Sequence, residues 1–294
     1  MEYTTINELV ETAKENRISV GEAVLKDQAA QMEQTEEHLL AQMEESLQVM
    51  EKAVESGMDP GLRSTSGLTG GDAWKMMKYG KTGGMTGSFM TGAMARALAV
   101  SEYNAAMGKI VAAPTAGSCG IMPGCLVSVM KERGIAREKI LRGMFTAAGF
   151  GMVIAKRASV SGAQGGCQAE CGSAAAMTAA ALTEIMGGTP QQAADACAIA
   201  LKNQLGLVCD PVAGLVEIPC IKRNVAGIMI AFSSADMALA GITSRIPADE
   251  VVDAMKEVGD SLPCALKETA QGGLANTPTA RRMRESVFGT QNAK

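Results

Sequence analysis

Six Ala- and Met-rich segments, separated by short glycine-marked breaks, dominate the middle of this chain and leave little room for a sheet. They run from Ala93 to Met107, Gly124 to Arg133, Arg137 to Phe150, Gly172 to Met186, Pro190 to Leu205 and Ala226 to Ala240. Ala and Met are strong helix formers, whereas strands favour alternating Val, Ile and Thr, which are scarce here. The expected fold is mostly α, a multi-helix assembly in which small side chains let helices approach closely. Gly187-Gly188 closes one helix and Pro190 opens the next, following ordinary stop and start chemistry.

Ahead of these segments, Leu39, Leu40, Met43, Leu47, Met50 and Val54 recur at three-and-four spacing between Glu, Gln and Lys. That seam predicts a long amphipathic helix over residues 30–58, ending near Gly57 and packing on the main body or on a partner. The composition then changes. Residues 59–92 include RSTSGLTGGDAWKMMKYGKTGGMTGSFMTG, whose repeated glycines disfavour a stable element and permit close backbone approach to a ligand. Gly80-Lys81-Thr82 is not a phosphate loop, because that motif needs a glycine five positions earlier and Lys75 stands there. No repeat or linker divides residues 60–290, so the chain reads as an N-terminal helical segment (1–58) followed by one helical domain (59–294).

Several function classes are disfavoured by composition. Among 294 residues, 27 Lys and Arg are mixed with 31 Asp and Glu, and aromatics are 3%. There is neither a basic face for a phosphate backbone nor a stacking platform for single strands, so no nucleic-acid partner is expected. The N-terminus MEYTTINELVETAKENR lacks the basic start and apolar core of a secretory signal. An uncharged stretch from Ile110 to Met130 approaches the length of a membrane span, but Pro114, Gly117, Ser118, Gly120 and Pro123 interrupt it, and it reads as a loop between two elements. A soluble, cytoplasmic protein is the expectation, with its eight cysteines reduced.

Those cysteines are the most informative side chains. Cys167 in SGAQGGCQAECGS, Cys209 in LGLVCDPVAG and Cys220 in VEIPCIKRN all stand near Gly or Pro, hence on turns or helix ends. Thiolates can converge there while backbone N–H groups point at a bound cluster. Cys197, in the middle of AADACAIALKN, reads as a packing thiol. Spacing alone leaves both a metal site and simple burial open. Zinc is disfavoured, since Cys167 and Cys171 form the only close pair and the single histidine, His38, lies on the charged N-terminal helix as a solvated residue.

The strings STSGLTGGDAW, APTAGSCGIMPG, GCQAECGSAAAM, LGLVCDPVAGLVEIPCIKRN and LKETAQGGLANTP resemble the alpha chain of the two-subunit iron-sulfur L-serine dehydratases, across roughly residues 60–280. The resemblance implies a 4Fe-4S cluster held by Cys167, Cys209 and Cys220, with Cys119, Cys125, Cys171, Cys197 and Cys264 as non-ligands. It implies that residues 59–294 are a cluster-binding catalytic domain. Three protein ligands leave one iron open as a Lewis acid that binds L-serine through its hydroxyl and carboxylate, so water is eliminated and pyruvate and ammonia result. No pyridoxal phosphate is needed.

Candidate substrate-holding residues are Ser64, Ser66, Thr69 and Asp72 in the first Gly-rich segment, and Thr115 and Ser118 in APTAGSCG, where Gly117 and Gly120 can expose backbone donors. Each competes with an ordinary capping role, but two hydroxyl-rich loops together suit a carboxylate. Lys222 and Arg223 read as structural or electrostatic. Two departures from the wider family follow. Single-chain relatives carry a C-terminal cysteine that caps the open iron, whereas Thr290–Lys294 offer no thiol, so self-capping is not expected. The family's Ser-Ser-His-Thr motif is absent, which places the catalytic base on a beta subunit and leaves it unassigned in this chain. Competing readings are a non-catalytic cluster-binding or sensing protein, a structural partner subunit with buried thiols, and a lyase for a related small hydroxy acid.

Overall fold

The computed structural model describes residues 3–289, and Thr290–Lys294, the tail expected not to cap an iron, lie outside them. Thirteen α-helices and no strand occur among the described residues, as the Ala- and Met-rich pattern predicts. The first three are α1 (Ile6–Asn16), α2 (Val20–Gln31) and α3 (Glu36–Gly57). The expected helix over 30–58 thus begins later, because Thr35 caps the N-terminus of α3 through the His38 amide. Its seam is consumed within the chain: Leu39, Leu47, Met50 and Val54 are buried, and α3 packs against α5 (Gly87–Ala105), α6 (Ile121–Arg133) and α7 (Arg137–Arg157). Gly57 lets α3 meet α5 backbone to backbone, since a Cβ there would collide with the Ala99 carbonyl.

Residues 59–92 are more ordered than their glycines predict. They contain α4 (Asp72–Gly80) and the start of α5. A helix beginning after Gly71 has no side-chain cap of its own. Glu102 of α5 supplies one instead, accepting the amides of Asp72 at 2.9 Å and Ala73 at 3.1 Å, and a carboxylate at a helix N-terminus satisfies both the orphan donors and the dipole. The same device recurs twice. Asp249 accepts the amides of Ile6 and Asn7 at the start of α1, and Glu184 accepts those of Val20 and Gly21 at the start of α2.

The stretch 110–130 divides. Residues 106–120 are irregular apart from one 3-10 turn, Ala116–Ser118, and α6 then starts at Ile121. Pro123 is tolerated because it falls in the first turn, where its missing N–H removes no helical bond. After α7 come α8 (Gly162–Gly165), a π-turn (Gln168–Gly172), α9 (Ser173–Ile185), α10 (Pro190–Lys202), α11 (Cys220–Leu239), α12 (Ala248–Ser261) and α13 (Pro278–Phe288). α9 is the central element: twelve of its thirteen residues are buried, and α6, α7, α10 and α11 pack around it. Its six alanines, in two runs of three, let the neighbouring helices approach closely. A capping box of Thr189 and Gln192, with Pro190 at the first position, starts α10 as the sequence predicts. Among the described residues no helix is long and apolar enough to cross a membrane.

Candidate active site

Three chain segments bring Cys167, Cys209 and Cys220 to one end of this bundle. The first breaks α8 at Gly166, whose φ of 76° ends the helix, and resumes at Cys167 with the π-turn that runs into α9. A π-turn re-aims side chains within an otherwise continuous helix, which is why such turns recur at functional sites. Gln168 fixes this segment: its amide donates to the Leu207 carbonyl at 2.9 Å, its side chain donates to the Met255 carbonyl at 2.9 Å, and its Oε1 accepts from Gly206 at 2.9 Å.

Cys209 is held by backbone pairing. Its amide donates to Leu266 at 2.9 Å and its carbonyl accepts from Glu268 at 2.8 Å, so the segment after α12 clamps it. The adjacent Asp210 accepts from the Leu274 amide at 2.8 Å and pairs with Arg223 at 2.9 Å. Cys220 is the first residue of α11. Four residues on, Asn224 bridges its carbonyl to the second hydroxyl loop, donating to Cys220 and Gly117 at 2.8 Å each while accepting from Gly120 at 2.8 Å.

Burial and mutual charge shape these thiols. Burial, then the neighbouring Glu170 and Cys167, push Cys209 well up from its ordinary value, and Cys220 is pushed up to about 12, first by burial and then by Cys167 and Glu170. Cys167 moves the other way, held down chiefly by a hydrogen bond from Cys171. Cys171 is buried beside it. The remaining thiols lie elsewhere. Cys119, Cys125 and Cys197 are buried and raised chiefly by that burial, and Cys264 is exposed.

The two hydroxyl loops meet the cysteine segments through two carboxylates that the sequence reading passed over. The Thr115 hydroxyl donates to Glu170 Oε1 at 2.8 Å, and Ser118 lies 3.2 Å from Thr115 Oγ1. Glu170 also contacts the Cys209 sulfur at 3.7 Å, and burial pushes its carboxyl up. In the first loop, Ser66 donates to Glu217 Oε1 at 2.8 Å and Thr69 donates to Glu217 Oε2 at 2.7 Å. Ser64 lies 3.2 Å from Ser66 and accepts from the Thr69 amide at 3.2 Å. Asp72 stands apart from this group. It opens α4 and pairs with Lys222 at 2.6 Å and Lys75 at 2.9 Å, and the Lys222 bond chiefly holds its carboxyl below the ordinary range. Glu170 and Glu217 were visible only as isolated acids in CQAEC and LVEIPC, with partners too distant in sequence to be recognised.

Among the described residues no set of three His, Cys, Asp or Glu side chains converges as a single metal ion requires. A polynuclear cluster makes a different demand, since its thiolates bind separate corners. Cys167, Cys209 and Cys220 are soft donors from three segments, the ligand type such a cluster takes. Gly162 leaves space beside them, because a Cβ there would run into Glu170 and come within 3.0 Å of the Cys209 sulfur. His38 is exposed on α3 beside Gln42 and contributes nothing to this end of the bundle.

The chain is similar to known proteins along nearly its whole length. The family profile described as serine dehydratase alpha chain matches residues 15–275. The chain is 52% identical over 288 residues to the probable L-serine dehydratase, alpha chain, of Bacillus subtilis, covering 98% of this chain and 96% of that one. It is 45% identical over 285 residues to the L-serine dehydratase, alpha chain, of Peptoniphilus asaccharolyticus, covering 97% and 98%. An L-serine dehydratase of Escherichia coli is 46% identical over 181 residues, which span 61% of this chain and 40% of the longer protein.

Proposed function

The chain belongs to the serine dehydratase alpha chain family, and from that premise we propose that it is the alpha subunit of a cytoplasmic L-serine ammonia-lyase, which converts L-serine to pyruvate and ammonia. The observation that carries the reading is the gathering of Cys167, Cys209 and Cys220 at one end of the bundle, with both hydroxyl loops tied to the same segments. A 4Fe-4S cluster bound by these three thiolates supplies an iron without a protein ligand, a Lewis acid for loss of the serine hydroxyl.

This chain's own residues orient and enclose. Glu170 and Thr115 hold the 115–118 loop against Cys209, and Asn224 holds it against Cys220, so the second loop is fixed relative to two of the three thiols. Lys222 and Arg223 are occupied by Asp72 and Asp210, which fits their structural reading. Removal of the Cα proton needs a base with a pKa near the working pH, a task histidine usually performs. His38 is on the wrong helix, so the base comes from a beta subunit.

The test assays pyruvate and ammonium formation by the anaerobically reconstituted chain alone, with its beta chain, and with a beta chain whose motif histidine is changed to alanine. Activity is expected only with the wild-type partner. Turnover by the chain alone at the rate of the complex would place the base within these residues.

A further inference from the structure

Glu217 is a buried carboxylate, 5% exposed, whose only polar side-chain partners among the described residues are the Ser66 and Thr69 hydroxyls. Neither carries a charge. The two basic residues nearest in sequence are engaged elsewhere, Lys222 with Asp72 and Arg223 with Asp210. Taking a carboxylate out of water is unfavourable unless opposite charge compensates it, and two neutral donors do not supply that charge. The free acceptor capacity is also on this group. An ionised carboxylate has about four lone-pair sites, and each Glu217 oxygen uses one for a hydroxyl.

The donor count in the adjoining loop points the same way. The Ser66 proton goes to Glu217, so in the Ser64–Ser66 contact Ser64 must be the donor. Ser66 Oγ also accepts from the Leu68 amide at 3.1 Å, and the Thr69 proton goes to Glu217. No hydroxyl of the three has a proton left for a ligand. What the side chains of the loop and Glu217 can offer is acceptors alone, which suits a cation. An open cleft of about 490 Å³ reaches this point; its walls are mostly apolar, and Ser66, Asn104, Ala116 and Glu217 are among the residues that line it. Ala116 belongs to the second hydroxyl loop, beside Thr115 and its bond to Glu170, so the cleft touches both loops.

We propose that Glu217, set by Ser66 and Thr69, is the seat for the α-ammonium of the amino-acid substrate and makes the site select amino acids over hydroxy acids. The assignment rests on the serine reading above only for the identity of the ligand. The hydroxyls then act on the carboxylate, holding both oxygens, and not on the substrate directly.

The probes are L-serine and 3-hydroxypropionate, which differ by the amino group alone. Their Kd values are measured calorimetrically at neutral pH on the anaerobic, cluster-loaded complex assembled with the beta chain whose motif histidine is alanine, so that L-serine is bound without being consumed, wild type and variant here denoting this chain. Pyruvate formation is read with the unaltered beta chain. The wild-type complex is expected to prefer L-serine by roughly tenfold or more, as loss of a charge-assisted hydrogen bond implies. Glu217→Gln should weaken L-serine and leave 3-hydroxypropionate unchanged, reducing the preference to within about threefold. If this variant does not fold, Glu217→Asp retains the charge but withdraws it by one methylene and should lose part of the preference. Equal weakening of both ligands, an unchanged ratio in the variant, or no preference in the wild type would overturn the seat. Amino-selective binding lost in Glu217→Gln, without pyruvate formation by the wild type, would keep the seat and overturn the lyase reading. Pyruvate formation with the ratio intact in the variant would do the reverse.

Discussion

Thr115 and Glu170 lie 55 positions apart and share a 2.8 Å hydrogen bond at the point where the second hydroxyl loop meets the cysteine-bearing π-turn. Hydrogen bonds to charged groups contribute about 1.5–3 kcal/mol. Thr115→Val keeps the shape of the side chain and deletes the donor, so urea unfolding of the full chain should show a stability loss of that order, about 1.5–3 kcal/mol. Thr115→Ser should recover most of it. An unchanged midpoint in the valine variant would mean that another donor replaces the hydroxyl.

The cysteines separate into two groups with different expected behaviour. Cys167→Ser, Cys209→Ser and Cys220→Ser should each lose iron and sulfide after anaerobic reconstitution, because a hard hydroxyl replaces a soft thiolate. Cys197, buried in α10, should tolerate serine with its iron content intact. Cys171→Ser should also retain iron, since a hydroxyl can still donate toward Cys167. Full iron content in all three ligand variants would remove the cluster from the proposal.

Glu102 links stability to pH. Burial is the main reason its carboxyl lies above the ordinary glutamate range; Asp72 adds to the rise, while Lys222 and the amides of Ala73 and Asp72 oppose it. A raised folded-state value means that the folded chain holds the proton longer than the unfolded chain does. The associated stability is fully present below the ordinary glutamate pKa of about 4.3 and is lost as pH rises through the raised value. The stability of the wild type relative to Glu102→Gln should therefore shrink as pH increases from 4 toward neutrality, in denaturant titrations across about that window. A difference that stays flat or grows with pH would contradict the burial argument.

How far these features can be read from sequence depends on the range of the interaction behind them. α5, α6, α7, α9, α10 and α11 follow from local composition, and the start of α10 from Thr189, Pro190 and Gln192. α4 does not. Its first turn is capped by Glu102, about thirty positions downstream, and a glycine-rich stretch gives no sign of that partner. Of the five residues that made 110–130 read as a loop, Pro114, Gly117, Ser118 and Gly120 do fall in the irregular chain and 3-10 turn before α6, whereas Pro123 lies in the first turn of α6, where a proline is harmless. At the site, the three cysteines were identified by resemblance, and the two hydroxyl loops by their Ser and Thr content. Glu170 and Glu217 were missed because a lone acid in an apolar string has no local pattern, and their roles arise from contacts across 55 and about 150 positions.

The caps on α1 and α2 bear on how the chain is made. Asp249, which receives the first amides of α1, is 243 positions from Ile6, and Glu184 is 164 positions from Val20. A ribosome delivers the leading helices long before it delivers either acid. Until then Thr5 and Ser19 hold only the amides of Glu8 and Glu22, and the amides of Ile6, Asn7, Val20 and Gly21 have no acceptor but water. α1 is thus made well before the acid that fastens its start, so a nascent chain halted before position 249 should offer α1 to a protease that the finished protein resists.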